Sequence, residues 1–243
     1  MLTAWFYIRL QGEHFAPVVD FLLCGLPMGF IVARLAYICT HWQFYEGHGL
    51  DVFRLWQGGI SLYGGAAGFL AAMFLCCKWK DLDFWRWLDL LAPAFVIGLA
   101  INELGNFATQ MTVGMPFPPN LANDHTLAEY IEFKYRPSGF ENYEYFRPVA
   151  LDQMFKQMGL FLLLTGLTIY RAWYKRLSAG IIFLLGVIGL AAIRFGCGFF
   201  YLSTEQGMVL HSGQKIALAI AVLGCILFVW RMRRRRSVFY GRY

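Results

Sequence analysis

Charge is scarce in this chain. Only 15% of its 243 residues are Asp, Glu, Lys or Arg, against 58% that are hydrophobic, and a soluble domain of that composition would expose too much apolar area to water. Histidine is thin as well. His14, His41, His48, His125 and His211 include no pair at the one-turn spacing of metal ligands, so each reads as solvated surface and neither a metal nor a cofactor is expected. No glycine loop leads into Lys-Ser or Lys-Thr and no nucleophile elbow is present, which leaves nucleotide-driven chemistry and serine hydrolysis without support. Cys24, Cys39, Cys76, Cys77, Cys197 and Cys225 all fall in or at the ends of apolar runs, where they read as small packing residues rather than disulfides. Residues 1–15 lack the apolar core of a cleavable signal peptide, so the first long run is expected to serve as its own insertion signal.

What the chain has in quantity is apolar runs long enough to cross roughly 30 Å of hydrocarbon. They lie near residues 17–42, 57–77, 84–107, 155–173, 179–202 and 213–230. Each is expected to be helical, because hydrocarbon offers no partner to a bare amide and the runs lack the strict alternation of a barrel. The reading is an all-α polytopic integral membrane protein, one membrane domain over residues 1–243 with about six transmembrane helices. A polar segment over residues 109–153, between the third and fourth helices, is expected to form a head on the extracytoplasmic side.

Basic residues set the orientation. With the N-terminus in the cytoplasm, Arg9, Lys78, Lys80, Arg86, Arg171, Lys175, Arg176, the run Arg231, Arg233, Arg234, Arg235, Arg236, and Arg242 share one side. The other side keeps Arg54, Lys134, Arg136, Arg147, Lys156 and Lys215. That bias puts both termini in the cytoplasm, and the C-terminal arginine run reads as a basic stop after the last helix rather than a nucleic-acid patch.

Polar groups inside the membrane are expensive and therefore informative. Arg34 lies midway along the first run, Glu103 with Asn102 and Asn106 lies near the outer end of the third, and Arg194 lies in the outer half of the fifth. Two accounts compete: an Arg–Glu pair that only fixes helix packing, or cations that hold a lipid phosphate. Asp20 and Asp89, near helix ends, are accounted for by first-turn capping and water access. The glycines Gly58, Gly59, Gly64, Gly65 and Gly68 also admit two accounts, close helix packing through Gly64-x-x-x-Gly68 or a helix break that bares amides to a ligand. Tyr63 beside them favours the second, since a phenol there can donate to a phosphate oxygen.

Several stretches, in order, carry a family resemblance. Phe53-Arg54-Leu55-Trp56-Gln57-Gly58-Gly59-Ile60-Ser61-Leu62-Tyr63-Gly64-Gly65 resembles the Trp-x-Gly-Gly-x-x-x-His/Tyr-Gly segment of bacterial prolipoprotein diacylglyceryl transferases. Leu26 to Tyr37, containing Ala33-Arg34-Leu35-Ala36-Tyr37, is similar to an apolar run ending in Gly-Ala-Arg-x-x-Tyr, while Asp89-Leu90-Leu91-Ala92-Pro93 and Gly105-Asn106-Phe107 resemble two further segments. Departures accompany the matches. Glu103 stands where the family has the arginine of Gly-Arg-x-Gly-Asn; Arg-Phe-x-x-Glu-x-x-Arg becomes Arg194 to Tyr201, with Gly198 and Tyr201 at the glutamate and second arginine; His-Pro-x-x-x-Tyr-Glu becomes Arg147 to Gln153. The family usually begins with an extra helix bearing an important tyrosine, and no counterpart is expected here.

The resemblance implies a bacterial inner-membrane protein of lipoprotein biosynthesis that moves diacylglycerol from phosphatidylglycerol to a lipobox cysteine of a secreted precursor. On that reading Tyr63, Glu103 and Arg194 are the catalytic candidates, with Glu103 a candidate thiol base, and Arg34, Gly64, Gly65, Asn106 and Arg194 hold the headgroup. The partners are phosphatidylglycerol or another anionic phospholipid and a lipoprotein precursor; neither a nucleic acid nor a particular oligomer is implied. The alternative is a catalytically silent relative that binds a lipid or a protein partner in an inherited cavity, with Glu103 neutralising an arginine. A transporter is weaker still, because no inverted repeat is evident. For residues 109–153, aromatics resting on the membrane interface are preferred to substrate recognition.

Overall fold

The computed structural model describes residues 2–10, 12, 14–44, 58–110, 112–117, 128–174, 177–202 and 212–240. Trp56 and Gln57 of the glycine motif, His48, His125, His211, Arg54, Lys175, Arg176 and the Pro118-Pro119-Asn120 part of the polar segment lie outside the described residues. Among the described residues seven α-helices run in chain order: α1 (Leu2–Leu10), α2 (Ala16–Thr40), α3 (Leu62–Trp79), α4 (Phe84–Ala108), α5 (Val149–Tyr174), α6 (Ile181–Cys197) and α7 (Ser212–Tyr240). The protein is an all-α polytopic membrane protein.

Each of the six expected spans falls on one of these helices, and among the described residues five are long and apolar enough, by length and composition, to cross a membrane. The exception is α5. It begins earlier than its apolar run, and Asp152, Gln153, Lys156 and Gln157 occupy its first turns. The sixth expected span thus differs from the other five in its polar start.

By packing, the chain forms two compact units, Ile8–Trp87 and Met1–Tyr7 with Leu88–Tyr243. In the first, a proline in the opening turn starts α2, where its missing N–H costs nothing. Ser61 caps α3, its hydroxyl accepting from the Gly64 amide at 3.3 Å. These two helices pack backbone to backbone: a Cβ on Gly64 would lie 2.6 Å from the Ala36 methyl, and one on Gly68 would lie 2.8 Å from the Met28 carbonyl. Small residues allow that approach, which is how helices gain contact in lipid. Phe21 and Trp87 meet edge to face at 5.4 Å, and Lys80 pairs with Asp20.

The second unit centres on Val96, Leu164 and Ile182, from α4, α5 and α6. Tyr7 reaches Thr165 with a 2.7 Å hydrogen bond. Asp89 departs from its expected role as a solvated capping residue. It is 1% exposed, pairs with Arg171, and accepts from the amides of Gly180 (2.6 Å) and Phe183 (2.8 Å), so one carboxylate ties α4 to α5 and closes the start of α6.

Within residues 109–153 the two-residue strands β1 (Glu129–Tyr130) and β2 (Tyr145–Phe146) pair antiparallel over a small core in which Ile131 and Phe146 are fully buried. Tyr130, Phe133 and Tyr135 remain exposed. The segment is tied back by backbone bonds from Met115 to Phe200 (2.9 Å) and from Arg147 to Met115 (3.0 Å), and by a bridge between Gly114 and Tyr201. Glu129 is buried at 7% exposure with neither carboxylate oxygen hydrogen-bonded among the described residues, and burial pushes its carboxyl up to about 7.

Candidate functional site

A polar network occupies the outer end of α4, the start of α5 and the end of α6. Glu103 is 7% exposed, and its two oxygens accept from the amides of Asn106 (3.0 Å) and Gln153 (2.7 Å). Asn106 is one turn from Glu103 on the same helix face, the spacing at which side chains meet. Gln153 is 4% exposed and faces two ways. Its Nε2 donates to Glu103, while its Oε1 accepts from the Tyr201 hydroxyl at 3.1 Å and from Arg194 Nη1 at 3.5 Å. Arg194 also donates to the Tyr201 hydroxyl at 3.1 Å and lies 5.2 Å from the centre of that ring.

The consequence is electrostatic. Among the described residues Glu103 and Arg194 form no ion pair with each other or with any other group; a neutral amide stands between them. Arg194 is exposed and lines a cavity of about 170 Å3 together with Gly198, Tyr201, Leu202, Gly213 and Gln214. Gly198 keeps this wall thin, since a Cβ there would sit 2.5 Å from the Gln214 side chain. A guanidinium opening on a small cavity, backed by an amide and a phenol, is suited to bidentate contact with a phosphate.

Beside this network sits a second cluster. Lys156 pairs with Asp152 at 2.5 Å and donates to the Cys197 sulfur at 3.6 Å, and Cys197 reaches Asp152 at 3.5 Å. Among the described residues no group of three His, Cys, Asp or Glu could hold a metal ion.

The other expected site residues lie in the unit Ile8–Trp87. Arg34 is buried, and its Nη1 donates to the carbonyls of Gly58 (2.5 Å) and Gly59 (3.0 Å). Both glycines have positive φ, +83° and +80°, a conformation that favours glycine. Arg34 thus holds the turn that leads into α3. The helix itself runs unbroken through Gly64 and Gly65, with Gly64 and Gly68 occupied by α2 rather than bared. Tyr63 sits in the first turn of α3, exposed, with no hydrogen bond among the described residues.

The geometry can now be set beside known proteins. A sequence model described as prolipoprotein diacylglyceryl transferase matches residues 1–230. The chain belongs to that family. A Synechocystis phosphatidylglycerol–prolipoprotein diacylglyceryl transferase is 31% identical over 201 residues, covering 82% of this chain and 68% of the relative. Similarly named proteins of Geobacillus kaustophilus and Bacillus licheniformis are 28% and 26% identical, covering 93% and 98% of this chain and 80% and 86% of their own lengths.

Within this chain, the positions that depart from the family pattern are neighbours in space: Glu103, Gln153, Gly198 and Tyr201 all belong to the Arg194 network or its cavity. The sequence shows these departures one by one but not that Gln153 connects them. The available signal was its place beside Asp152 at the end of the altered His-Pro-x-x-x-Tyr-Glu segment.

Proposed function

We propose that this protein transfers a diacylglyceryl group from a glycerophospholipid to the thiol of a lipobox cysteine in a secreted lipoprotein precursor. The names of the relatives specify phosphatidylglycerol as donor. The protein sits in the bacterial inner membrane with both termini in the cytoplasm, and residues 109–153 form a head on the far side. Arg194 grips the phosphate. As the precursor's thiolate attacks the glyceryl carbon, the carbon–oxygen bond breaks and charge collects on the departing phosphate, where a preplaced guanidinium and the Tyr201 hydroxyl stabilise it. Arg34 maintains the turn before Tyr63, whose exposed phenol is free to donate a hydrogen bond. Asn106 holds Glu103 in place rather than touching the lipid.

One observation carries the reading: Arg194 faces a cavity with an amide and a phenol, not a carboxylate, as its partners. A guanidinium neutralised by Glu103 would instead favour a silent relative. The test is transfer of the diacylglyceryl mass to a lipobox peptide in proteoliposomes of mixed phosphatidylglycerol and phosphatidylethanolamine. Wild type is expected to add it, and Arg194→Ala to lose about a hundredfold or more in rate. No transfer by wild type overturns the function; full activity in both Arg194→Ala and Tyr63→Phe overturns the site.

A further inference from the structure

We infer that the outer edge of β1 receives the extended stretch of the precursor that follows its lipobox cysteine, as an added strand that takes the place of the Gln110 side chain. The inference rests on the transferase reading and names how the same protein would hold its peptide substrate.

Among the described residues, short segments line up as a ribbon. β1 pairs with β2. β2 pairs in turn with residues 115–117, through bonds from Phe117 to Tyr145 (3.0 Å) and from Arg147 to Met115 (3.0 Å). Residues 113–115 pair with 200–202, through bonds from Met115 to Phe200 (2.9 Å) and from Leu202 to Val113 (3.4 Å). β1 therefore forms one edge and the strand of Tyr201 the other. Ile131 donates across the hairpin to Glu144 at 3.0 Å, so the backbone groups of its neighbours Tyr130 and Glu132 face the open side.

A side chain holds that side. Gln110 Nε2 donates to the Tyr130 carbonyl at 2.9 Å, and Gln110 Oε1 accepts from the Glu132 amide at 3.2 Å. One primary amide thus supplies the donor and the acceptor that the backbone of a neighbouring strand would supply. The arrangement is strained, because Gln110 has φ +52°, in the left-handed region that residues with a Cβ rarely adopt. An extended peptide restores both hydrogen bonds and lets the Gln110 backbone relax, so the side chain acts as a placeholder. Tyr130 and Phe133, both exposed, offer apolar surface to side chains of the incoming strand. Four spacings of about 4.8 Å separate an added strand from that of Tyr201, about 19 Å in all, which an extended chain crosses in about six residues. Pairing then starts about six residues past the cysteine, with the thiol at the Arg194 network.

The experiment measures binding of dye-labelled lipobox peptides, extending well past the cysteine, to the full chain in phosphatidylglycerol liposomes. Fluorescence anisotropy gives the affinity, with empty liposomes subtracted, and diacylglyceryl transfer to the same peptides is followed in parallel. Backbone N-methyl groups are placed one residue at a time. Affinity should fall about fivefold, the worth of one hydrogen bond, at the alternate residues that face the Tyr130 and Glu132 carbonyls, and hold at the residue between them. A peptide ending at the cysteine should lose about twentyfold, both bonds together. Gln110→Ala should tighten binding of the unmodified peptide severalfold with kcat unchanged, because the competitor is gone; a side chain that only braces the hairpin would give the opposite sign. A scan without alternation, or weaker binding to Gln110→Ala, overturns the inference and leaves the transferase reading standing. Fluorescence gained on Phe133→Trp that brominated lipid quenches and peptide does not change would put the edge against the bilayer, and overturns it too. Transfer to none of the peptides removes the transferase reading, while the pattern of affinities still decides the edge. If Gln110→Ala does not fold, the N-methyl scan on wild type decides.

Discussion

Replacing Glu129 with glutamine should abolish a pH dependence located in the hairpin of residues 129–146. The carboxyl is buried without a hydrogen-bond partner among the described residues, and burial alone holds it at about 7 against an ordinary 4.5. The open hairpin sheds its proton near the ordinary value, whereas the closed hairpin keeps it until about 7, so the closed state binds more protons in between. Stability is therefore full below 4.5 and falls as pH rises towards 7, by about 3 kcal/mol in total for a shift of that size. Amide-exchange protection of Tyr130 and Tyr145 in wild type, divided by that in Glu129→Gln at the same pH, cancels the intrinsic exchange rates. The quotient should drop about fortyfold between pH 5 and 7. A flat quotient would show that water or a partner solvates the carboxylate, and the argument from burial would fail.

Three further substitutions test the helix packing. Gly68→Ala pushes a methyl to 2.8 Å from both the Met28 carbonyl and the Val32 side chain and should cost about 1–3 kcal/mol in thermal unfolding in detergent. Gly166→Ala, with open space around it, should be neutral or slightly stabilising in the same assay. Arg171→Met leaves Asp89 buried beside two amides with no counter-charge, a loss of about 3–5 kcal/mol expected as a lowered midpoint and poor recovery from the membrane.

Helix placement was legible because hydrocarbon imposes one requirement on every span, and α2, α4 and α7 begin within a residue of the expected runs. α5 was misjudged at its start. Asp152 and Gln153 fall in the polar segment to a hydropathy reading, yet with Lys156 and Gln157 they occupy the first turns of a helix whose partners lie far away in sequence: Glu103 is 50 residues from Gln153. The same distance hid Asp89, whose partners are 82, 91 and 94 residues downstream. Arg34, Glu103 and Arg194 could be singled out by the cost of charge in lipid. What separated them, an uncharged amide, carries no such cost signal. The glycines were legible as a group but not in function: Gly58 and Gly59 bend the chain, whereas Gly64 and Gly68 admit a neighbouring helix.

The backbone bonds joining Met115 to Phe200 and Gly114 to Tyr201 have a mechanical consequence. They strap the hairpin-bearing segment to the very residue whose phenol steadies Arg194, so a displacement of that segment reaches the Arg194–Gln153–Glu103 network with little slack.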